Sequence, residues 1–294
     1  MIQIEKKQDC CGCTACASIC PKKCIQMQPD GEGFQYPVVD VKSCVGCGIC
    51  ENVCPALNPV KEEKVQQTAW LVQHKDEAIR LDSSAGGAFT AIATVILESG
   101  GVVFGAAYDG NFQVYHTYVD NVEGLKKFRN SKYVQSNLED CFQQVKRFLK
   151  ENRWVCFSGT PCQIEGLSRF LGKSYDRLVL VDVVCHGIPS PLIWNKYLEY
   201  QKVDLDKPDN IRFRDKFYGY KYSTMSLIRN DKNEYHAGSQ MDPMLRAFFT
   251  DICDRPSCYE CQFKKQYRVS DLTIWDCFSV YDFDKAMDDD KGTT

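Results

Sequence analysis

The chain has 294 residues, of which 44% are hydrophobic and 26% are charged, as expected for a globular protein of about two domains. Its net charge of -3 argues against a nucleic-acid-binding protein, because such proteins use a basic surface to neutralise phosphates. No uninterrupted apolar run reaches the ~18 residues of a transmembrane helix. The first residues, MIQIEKKQDCC, also lack the features of a secretion signal. We therefore expect a cytoplasmic protein.

Cysteine is the unusual component of the composition, with 18 copies. Cytoplasmic thiols stay reduced, and they bind metal or take part in redox chemistry more often than they form disulfides. Ten of the cysteines lie between Cys10 and Cys54, and eight are spread over the rest of the chain. This asymmetry predicts a small metal-binding domain over residues 1–60 and a larger domain with its own hydrophobic core over residues 61–294.

The first segment contains one cysteine pattern twice. The pattern is C-x2-C-x2-C-x3-C-P, the bacterial two-cluster ferredoxin motif, in which the fourth cysteine of each repeat binds the other cluster. The spacing assigns one 4Fe-4S cluster to Cys10, Cys13, Cys16 and Cys54. It assigns the second cluster to Cys44, Cys47, Cys50 and Cys20. Cys11 and Cys24 fall outside the spacing and are predicted not to be ligands.

Zinc and disulfides are the alternatives for these cysteines. Zinc sites usually pair two C-x2-C units across a longer spacer, and adjacent thiols in tight loops rarely meet disulfide geometry. Both fit the double motif less well than iron–sulfur clusters do. The segment between the two runs predicts a strand, a turn at Asp30-Gly31 and a second strand. So short a domain buries little core, and we expect the clusters to hold it together.

The larger domain begins after a polar linker, residues 58–67. The sequence then predicts a strand at Trp70–Gln73 and a helix over residues 86–98, with Ser83 or Ser84 as its N-cap. The Ser-Ser-x-Gly-Gly entry to this helix is a weak signal for a phosphate or dinucleotide site, and close packing of glycines is the alternative. Next, GVVFGAAYDGNFQVYHTYVD predicts a hairpin with its turn at residues 109–111.

A strand–helix–strand unit follows in RWVCFSGTPC, QIEGLSRFLG and RLVLVDVVCHG. A connection of this length predicts two parallel strands, which would place Cys162 and Cys185 at the same edge of the sheet. Ligands of open α/β sheets bind at that edge. Cys156, within the first strand, and Cys141, in a preceding helix, are predicted to pack in the core.

Cys258 and Cys261 form a C-x2-C knuckle in a later loop. Together with the two cysteines at the sheet edge they supply four thiols, enough for a third 4Fe-4S cluster. Spacing alone does not join them, and Cys253 competes as a ligand. A structural zinc ion or idle thiols are the alternatives at this point.

Six motifs in this order resemble one family: SSAGGAFTAIA, GVVFGAAYD, SKYVQS, SGTPCQIEGL, VDVVCHGIPSP and RPSCYECQFK. They are similar to the beta-subunit family of coenzyme F420-dependent hydrogenases and dehydrogenases, in the bacterial branch with a fused ferredoxin domain. The resemblance extends from Cys10 to about Asp276. It implies an α+β protein in which a small bacterial-type two-cluster ferredoxin domain precedes a larger α/β flavin-binding domain with a mixed sheet.

The resemblance also implies a non-covalent FAD beside a 4Fe-4S cluster. It makes Cys162, Cys185, Cys258 and Cys261 the expected ligands of that third cluster. The implied FAD contacts come from the Ser-Ser-x-Gly-Gly turn, from SKYVQS and from the Gly-Thr-Pro-Cys turn; they are Ser83, Ser84, Gly86, Gly87, Ser131, Lys132, Tyr133, Gln135, Ser136, Gly159 and Thr160. Lys132 would hold a phosphate or the reduced flavin, with an ordinary surface lysine as the alternative.

The implied activity is an oxidoreductase that passes electrons between a two-electron substrate, such as a reduced deazaflavin coenzyme, and a one-electron carrier. The expected partners are that small molecule and a redox protein, either a ferredoxin or a larger complex. Two other classes stay open: an electron-transfer subunit without its own substrate, and a metal-containing binding protein without redox turnover. His186 is either a residue that tunes the cluster or a structural histidine.

The sequence departs from the family pattern in two places. Ala85 stands where relatives often have a third serine, which would remove one hydrogen bond to the flavin. The chain also ends at DDDKGTT, where relatives continue, so we expect it to be a C-terminally truncated form.

Overall fold

The computed structural model describes residues 1–203, 210–229 and 232–294. Its first segment contains the predicted hairpin between two short helices, with the bounds α1 Ala15–Ile19, β1 Ile25–Pro29, β2 Gln35–Val39 and α2 Ile49–Asn52. The strands are antiparallel, with Ile25 opposite Val39. The Asp30 carboxylate closes the turn, because it accepts hydrogen bonds from the backbone N–H groups of Glu32 and Phe34, each at 3.0 Å.

A five-stranded mixed sheet forms the centre of the rest of the chain. Its elements are α3 Glu77–Asp82, α4 Ala88–Glu98, β3 Val102–Tyr108, β4 Val114–Val119, α5 Cys141–Lys150, β5 Val155–Gly159, α6 Pro161–Leu171, β6 Leu178–Val183 and β10 Leu272–Ile274. The strand order is β10-β6-β5-β3-β4, and only β4 is antiparallel to its neighbour. The predicted hairpin and the predicted parallel pair β5 and β6 are both confirmed.

Alternating residues of the strands face opposite layers of helices, as the pleat requires. Phe157 of β5 packs with α5 and α6, whereas its neighbour Cys156 packs with α4 on the other face. Cys156 and Cys141 are both buried in these cores, as predicted. The layer of α5 and α6 also contains Cys13 and Ala15, so the N-terminal segment contributes to the core of the sheet.

A smaller antiparallel sheet lies beside the first. It contains β7 Asn210–Asp215, β8 Thr224–Arg229 and β9 Lys232–Gly238, and it packs with α7 Pro191–Tyr200 and α8 Pro243–Phe249. Trp194 is fully buried at this contact and donates its indole N–H to the Phe112 carbonyl at 2.7 Å. This bond ties α7, which packs on the second sheet, to the turn of the β3–β4 hairpin.

Two expectations for the segment before α4 are wrong. Trp70–Gln73 is not a strand, because Val72 forms one backbone pair with Thr294, at 2.9 and 3.0 Å, and no ladder continues from it. Neither Ser83 nor Ser84 caps α4. Gly87 is its N-cap with a φ of +85°, and Ser83 ends α3 instead.

The first 60 residues pack directly on the larger sheet domain, and the predicted boundary near residue 60 stays a prediction. The N–H of Val60 donates to the Glu165 carboxylate at 2.8 Å, and Lys265 bridges the same carboxylate to the Val60 carbonyl at 2.8 and 2.9 Å. Gln143 of α5 donates to the Ser18 carbonyl at 3.0 Å. No helix in the described part of the chain is long and apolar enough to cross a membrane.

Gly166 marks the closest approach between the N-terminal segment and α6. A Cβ added at this position would lie 2.8 Å from the Cβ of Cys13 and 2.9 Å from its Sγ, distances shorter than real Cβ atoms show. The cysteine-bearing loop can therefore rest on α6 only because residue 166 has no side chain.

We predict that Gly166→Ala lowers the melting temperature, although alanine in a helix normally stabilises it by about 1 kcal/mol relative to glycine. The added methyl group has to push Cys13 away from α6, and amide hydrogen exchange over residues 10–16 should become faster. Gly31→Ala is the matched control, because no atom lies within 4 Å of its added Cβ. A melting temperature that rises in Gly166→Ala would contradict this packing.

Candidate metal centres and cofactor site

The thiols assigned to the second ferredoxin cluster line one small cavity. Cys20, Cys44, Cys47 and Cys50 all contribute to its wall, together with Cys24. The Sγ atoms of Cys20 and Cys24 are 3.4 Å apart. The neighbouring Cys20 thiol, together with desolvation, raises the pKa of Cys24 to about 11. Cys24, predicted not to be a ligand, thus stands next to the predicted ligands.

The thiols assigned to the first ferredoxin cluster are also close to one another. Burial raises the pKa of Cys16 to about 12, and the charges of Cys10 and Cys54 contribute to this rise. Cys13 interacts with Cys10 and Cys16. Acidic groups that raise one another's pKa values favour a cation between them, since metal binding releases the protons and removes the repulsion. The arrangement fits the positively charged core of an iron–sulfur cluster.

Four cysteines from three distant parts of the larger domain come together in the same way. Cys162 lies in the first turn of α6, Cys185 follows β6, and Cys258 and Cys261 lie in the knuckle. Burial raises the pKa of Cys185 well above its ordinary value, and the other three thiols raise it further. Burial also raises the pKa of Cys258 to about 12. The structure therefore joins the two sheet-edge cysteines to the knuckle, which spacing alone left open.

Cys253 does not join this group of four. It is buried, and the groups that interact with its thiol are the carboxyls of Asp254 and Asp251. The Nε2 of His186 lies 2.8 Å from the Oδ1 of Asp251, and its ring packs edge-on against Phe248. Both contacts are compatible with the structural alternative for this histidine, and its role stays a prediction.

The first turn of α6 is shaped for its cysteine by the Gly-Thr-Pro-Cys sequence. Thr160 is the N-cap, and a capping box forms with Gln163, whose side chain accepts from the Thr160 N–H at 3.0 Å. Pro161 occupies the first helical position, where its missing N–H costs nothing. The Thr160 hydroxyl lies 3.2 Å from the Cys162 Sγ. Cys162 is thus held in a helix turn and not in a free loop.

Cys11 lies between the first ferredoxin set and the set at the sheet edge. Its thiol interacts with those of Cys13 and Cys162. The Cys13 thiol raises the pKa of Cys11 well above its ordinary value, and the Cys11 thiol has the same effect on the pKa of Cys162. No motif marks this residue, because its position depends on how the N-terminal loop packs on α6. The two sets of thiols are separated by a single side chain.

The residues predicted to contact FAD fall into two groups in the structure. The first surrounds the Ser-Ser-x-Gly-Gly turn, where the Ser84 hydroxyl accepts from the Ser131 N–H at 2.7 Å. Ser83 donates to the Ile79 carbonyl at 2.7 Å. Gly86 donates its N–H to the Thr294 hydroxyl at 2.9 Å, and a Cβ on Gly87 would meet His74. Both glycines are closely packed, as the alternative to a phosphate site expects, and their role as FAD contacts stays a prediction.

The second group lies next to Cys162. Gln163 donates to the Ser136 hydroxyl at 2.9 Å, and Gly159 and Thr160 lead into α6. Gln135 is buried and accepts from Arg255 at 2.9 Å. Tyr133 stacks on Phe248 with ring centroids 4.4 Å apart.

A basic cleft of about 160 Å³ lies beside the first group. Lys132 lines it, and the sequence did not mark the other residues: Asp82, Tyr108, Lys126, Lys127, Arg129, Asn130, Asn210, Ile211 and Arg212. Asp82 pairs with both Arg129 and Arg212. Burial lowers the pKa of Lys132 to about 7, and its ammonium donates to two backbone carbonyls at 3.1 Å. Five cations around one carboxylate fit a phosphate group.

Two family models match the chain. Residues 152–294 match the model for the C-terminal part of the beta subunit of coenzyme F420 hydrogenase/dehydrogenase. Residues 9–58 match the 4Fe-4S dicluster domain, so the N-terminal segment is an iron–sulfur domain. The chain is therefore an iron–sulfur electron-transfer protein related to these beta subunits, as the sequence motifs predicted.

One solved structure similar to this chain is that of the xenon-derivatised F420-reducing NiFe hydrogenase complex from Methanosarcina barkeri. The match has 16% sequence identity and a TM-score of 0.47 over 69% of each chain. This likeness is too distant to support a conclusion about function. The comparison with curated proteins gave no match.

Cys162→Ser should remove one cluster, about four iron atoms per chain, and leave the dicluster domain loaded, because only the sheet-edge set loses a ligand. The measurement is an iron assay with an absorption spectrum on anaerobically purified protein. Cys156→Ala is the control, because Cys156 is buried in β5 and is not one of the four thiols. This variant should have the iron content of the wild type. Wild-type iron content in Cys162→Ser would take this residue out of the ligand set.

Proposed function

We propose that this chain is an iron–sulfur flavoprotein oxidoreductase. It passes electrons between a two-electron substrate and a one-electron carrier through FAD, a third 4Fe-4S cluster and the two clusters of the dicluster domain. The observation that carries the proposal is the position of Cys11, whose thiol interacts both with Cys13 and with Cys162. Clusters bound by these neighbouring cysteines would lie close enough together for electrons to pass between them.

Bound FAD would supply the chemistry that links transfer of an electron pair to single-electron steps at clusters. The basic cleft supports a site for its phosphates, with Lys132 and Arg129, which flank Ser131 in the sequence, as donors. Ser136 and Thr160, beside Cys162, are the candidate contacts on the cluster side. Ala85 offers no hydroxyl for a further bond in this turn.

The match to the beta-subunit model supports a substrate of the deazaflavin class, and it also supports a redox partner, because a subunit works within a larger enzyme. The same match favours a second candidate: an electron-transfer subunit that has no substrate of its own. The two differ in a single assay. Reduction of bound flavin by reduced deazaflavin, in the purified chain alone, supports the first candidate, and reduction only by a partner protein supports the second.

A cytoplasmic location is part of the proposal. All 18 cysteines lie in the described part of the chain and are free thiols in it. Reduced thiols and iron–sulfur clusters both favour a reducing compartment.

We predict that the purified chain binds one FAD and that Lys132→Gln weakens the binding roughly tenfold to a hundredfold, because a charge-assisted hydrogen bond contributes about 1.5–3 kcal/mol. Fluorescence of released flavin gives the content, and titration of the flavin-free protein gives the affinity. Lys127→Gln removes the same charge from the exposed rim of the cleft and should have a smaller effect.

Protein without flavin, or with zinc in place of iron, would contradict the oxidoreductase proposal. If the wild type and Lys132→Gln bound FAD with equal affinity, the cleft would not be the phosphate site. The cluster assignments would be unaffected.

A further inference from the structure

Arg255 is a buried cation at the junction between the dicluster domain and the larger domain. Its side chain is 1% exposed. The backbone around it is fixed on both sides, since its N–H donates to the Ile188 carbonyl at 2.8 Å and its carbonyl accepts from Cys258 at 2.8 Å. The residue therefore sits between the segment that follows Cys185 and the knuckle that begins with Cys258.

The guanidinium uses its fork to reach three different parts of the chain. It donates to the Cys10 carbonyl at 2.7 Å, to the Gln35 carbonyl at 2.9 Å and to the Gln135 side chain at 2.9 Å. It also lies over the Tyr36 ring, 4.2 Å from the centroid. One side chain thus connects the first ferredoxin loop, the ferredoxin hairpin and the loop that contains SKYVQS.

No carboxylate in the described ranges 1–203, 210–229 and 232–294 forms an ion pair with Arg255. Burial of an unpaired charge costs several kcal/mol, so a counter-charge is expected nearby. Arg255 instead contacts the backbone of one predicted ligand in each of two cluster sets. Its guanidinium donates to the Cys10 carbonyl at 2.7 Å, and its own carbonyl accepts from the Cys258 N–H at 2.8 Å.

Gly12 allows this arrangement. A Cβ at this position would lie 2.4 Å from the Gln135 amide nitrogen and 2.9 Å from an Nη of Arg255. The φ of Gly12 is +72°, a conformation that glycine adopts without strain. The loop that carries Cys10, Cys11 and Cys13 is thus shaped around the guanidinium.

We propose that Arg255 is the shared counter-charge of the first ferredoxin cluster and the third cluster, and that it raises the reduction potential of both. The inference rests on the proposed function, because it requires clusters at Cys10 and Cys162. A cluster held by four thiolates is an anion, and each electron that it accepts from a reductant adds one negative charge. A fixed positive charge stabilises the reduced form more than the oxidised form, and net charge and hydrogen bonds are known to set cluster potentials.

The test is a redox titration of the full chain with dithionite, followed by EPR, on the wild type, Arg255→Gln and Arg255→Lys. Arg255→Gln should lower the reduction potential of both clusters by at least about 59 mV, which corresponds to a tenfold shift of each one-electron equilibrium towards the oxidised form. Arg255→Lys keeps the charge and should retain most of the wild-type potential. Arg169→Gln removes a charge at the same junction, where Arg169 donates to the Asn58 carbonyl, and should leave both potentials unchanged.

Gln135→Glu is the second variant, in case Arg255→Gln does not fold. It keeps Arg255 in place and gives the guanidinium a carboxylate partner, so both potentials should fall as they do in Arg255→Gln. Unchanged potentials in Arg255→Gln and Gln135→Glu would overturn the proposal. The proposal would also be overturned if both Arg255 variants lost iron equally and the potentials of Gln135→Glu were unchanged. Arg255 would then have only a structural role.

A failure of the proposed function can be distinguished from a failure of the inference about Arg255. If the wild type holds only the two ferredoxin clusters, Cys162→Ser changes no EPR signal, and the third cluster is absent. The potential of the first ferredoxin cluster still responds to Arg255→Gln if the inference about Arg255 is right.

Discussion

Cys13 packs against the bare backbone of Gly166, and this contact brings the N-terminal cysteine loop onto the helix that begins with Cys162 in its first turn. The dicluster segment shares the core of the larger sheet through Cys13 and Ala15. Because Gly166 has no side chain, the first ferredoxin thiols lie close to the sheet-edge thiols, with only Cys11 between the two sets. The proposed electron path depends on this closeness more than on any single ligand.

Burial determines how costly each charged group of the site is. Twelve predicted ligand thiols are gathered in three groups, and removal of water makes each thiolate costly until a metal core neutralises it. Two cations are also held out of water nearby. Burial lowers the pKa of Lys132 to about 7, beside a cleft that fits phosphate. Arg255 donates to two backbone carbonyls and to the Gln135 side chain in place of a carboxylate.

The sequence predicts those parts of the site that depend on short spacing or on regular chain geometry. The double ferredoxin motif and the placement of Cys162 and Cys185 at one sheet edge are of this kind, because parallel strands must end at the same edge. The Trp70–Gln73 strand was wrong because a single pair with Thr294 decides the conformation there. Gly12, Gly166 and Arg255 could not be found, since their roles come from contacts between residues far apart in the chain. The same holds for the cations of the basic cleft.

The central claim is that the dicluster domain and the third cluster form one continuous path at the contact of Cys11, Cys13 and Cys162. The most direct measurement is the EPR spectrum of the fully reduced, anaerobically purified chain. The account predicts magnetic interaction between the ferredoxin clusters and a third cluster, which broadens their signals and disappears in Cys162→Ser. Sharp, independent ferredoxin signals that are identical in the wild type and in Cys162→Ser would contradict it.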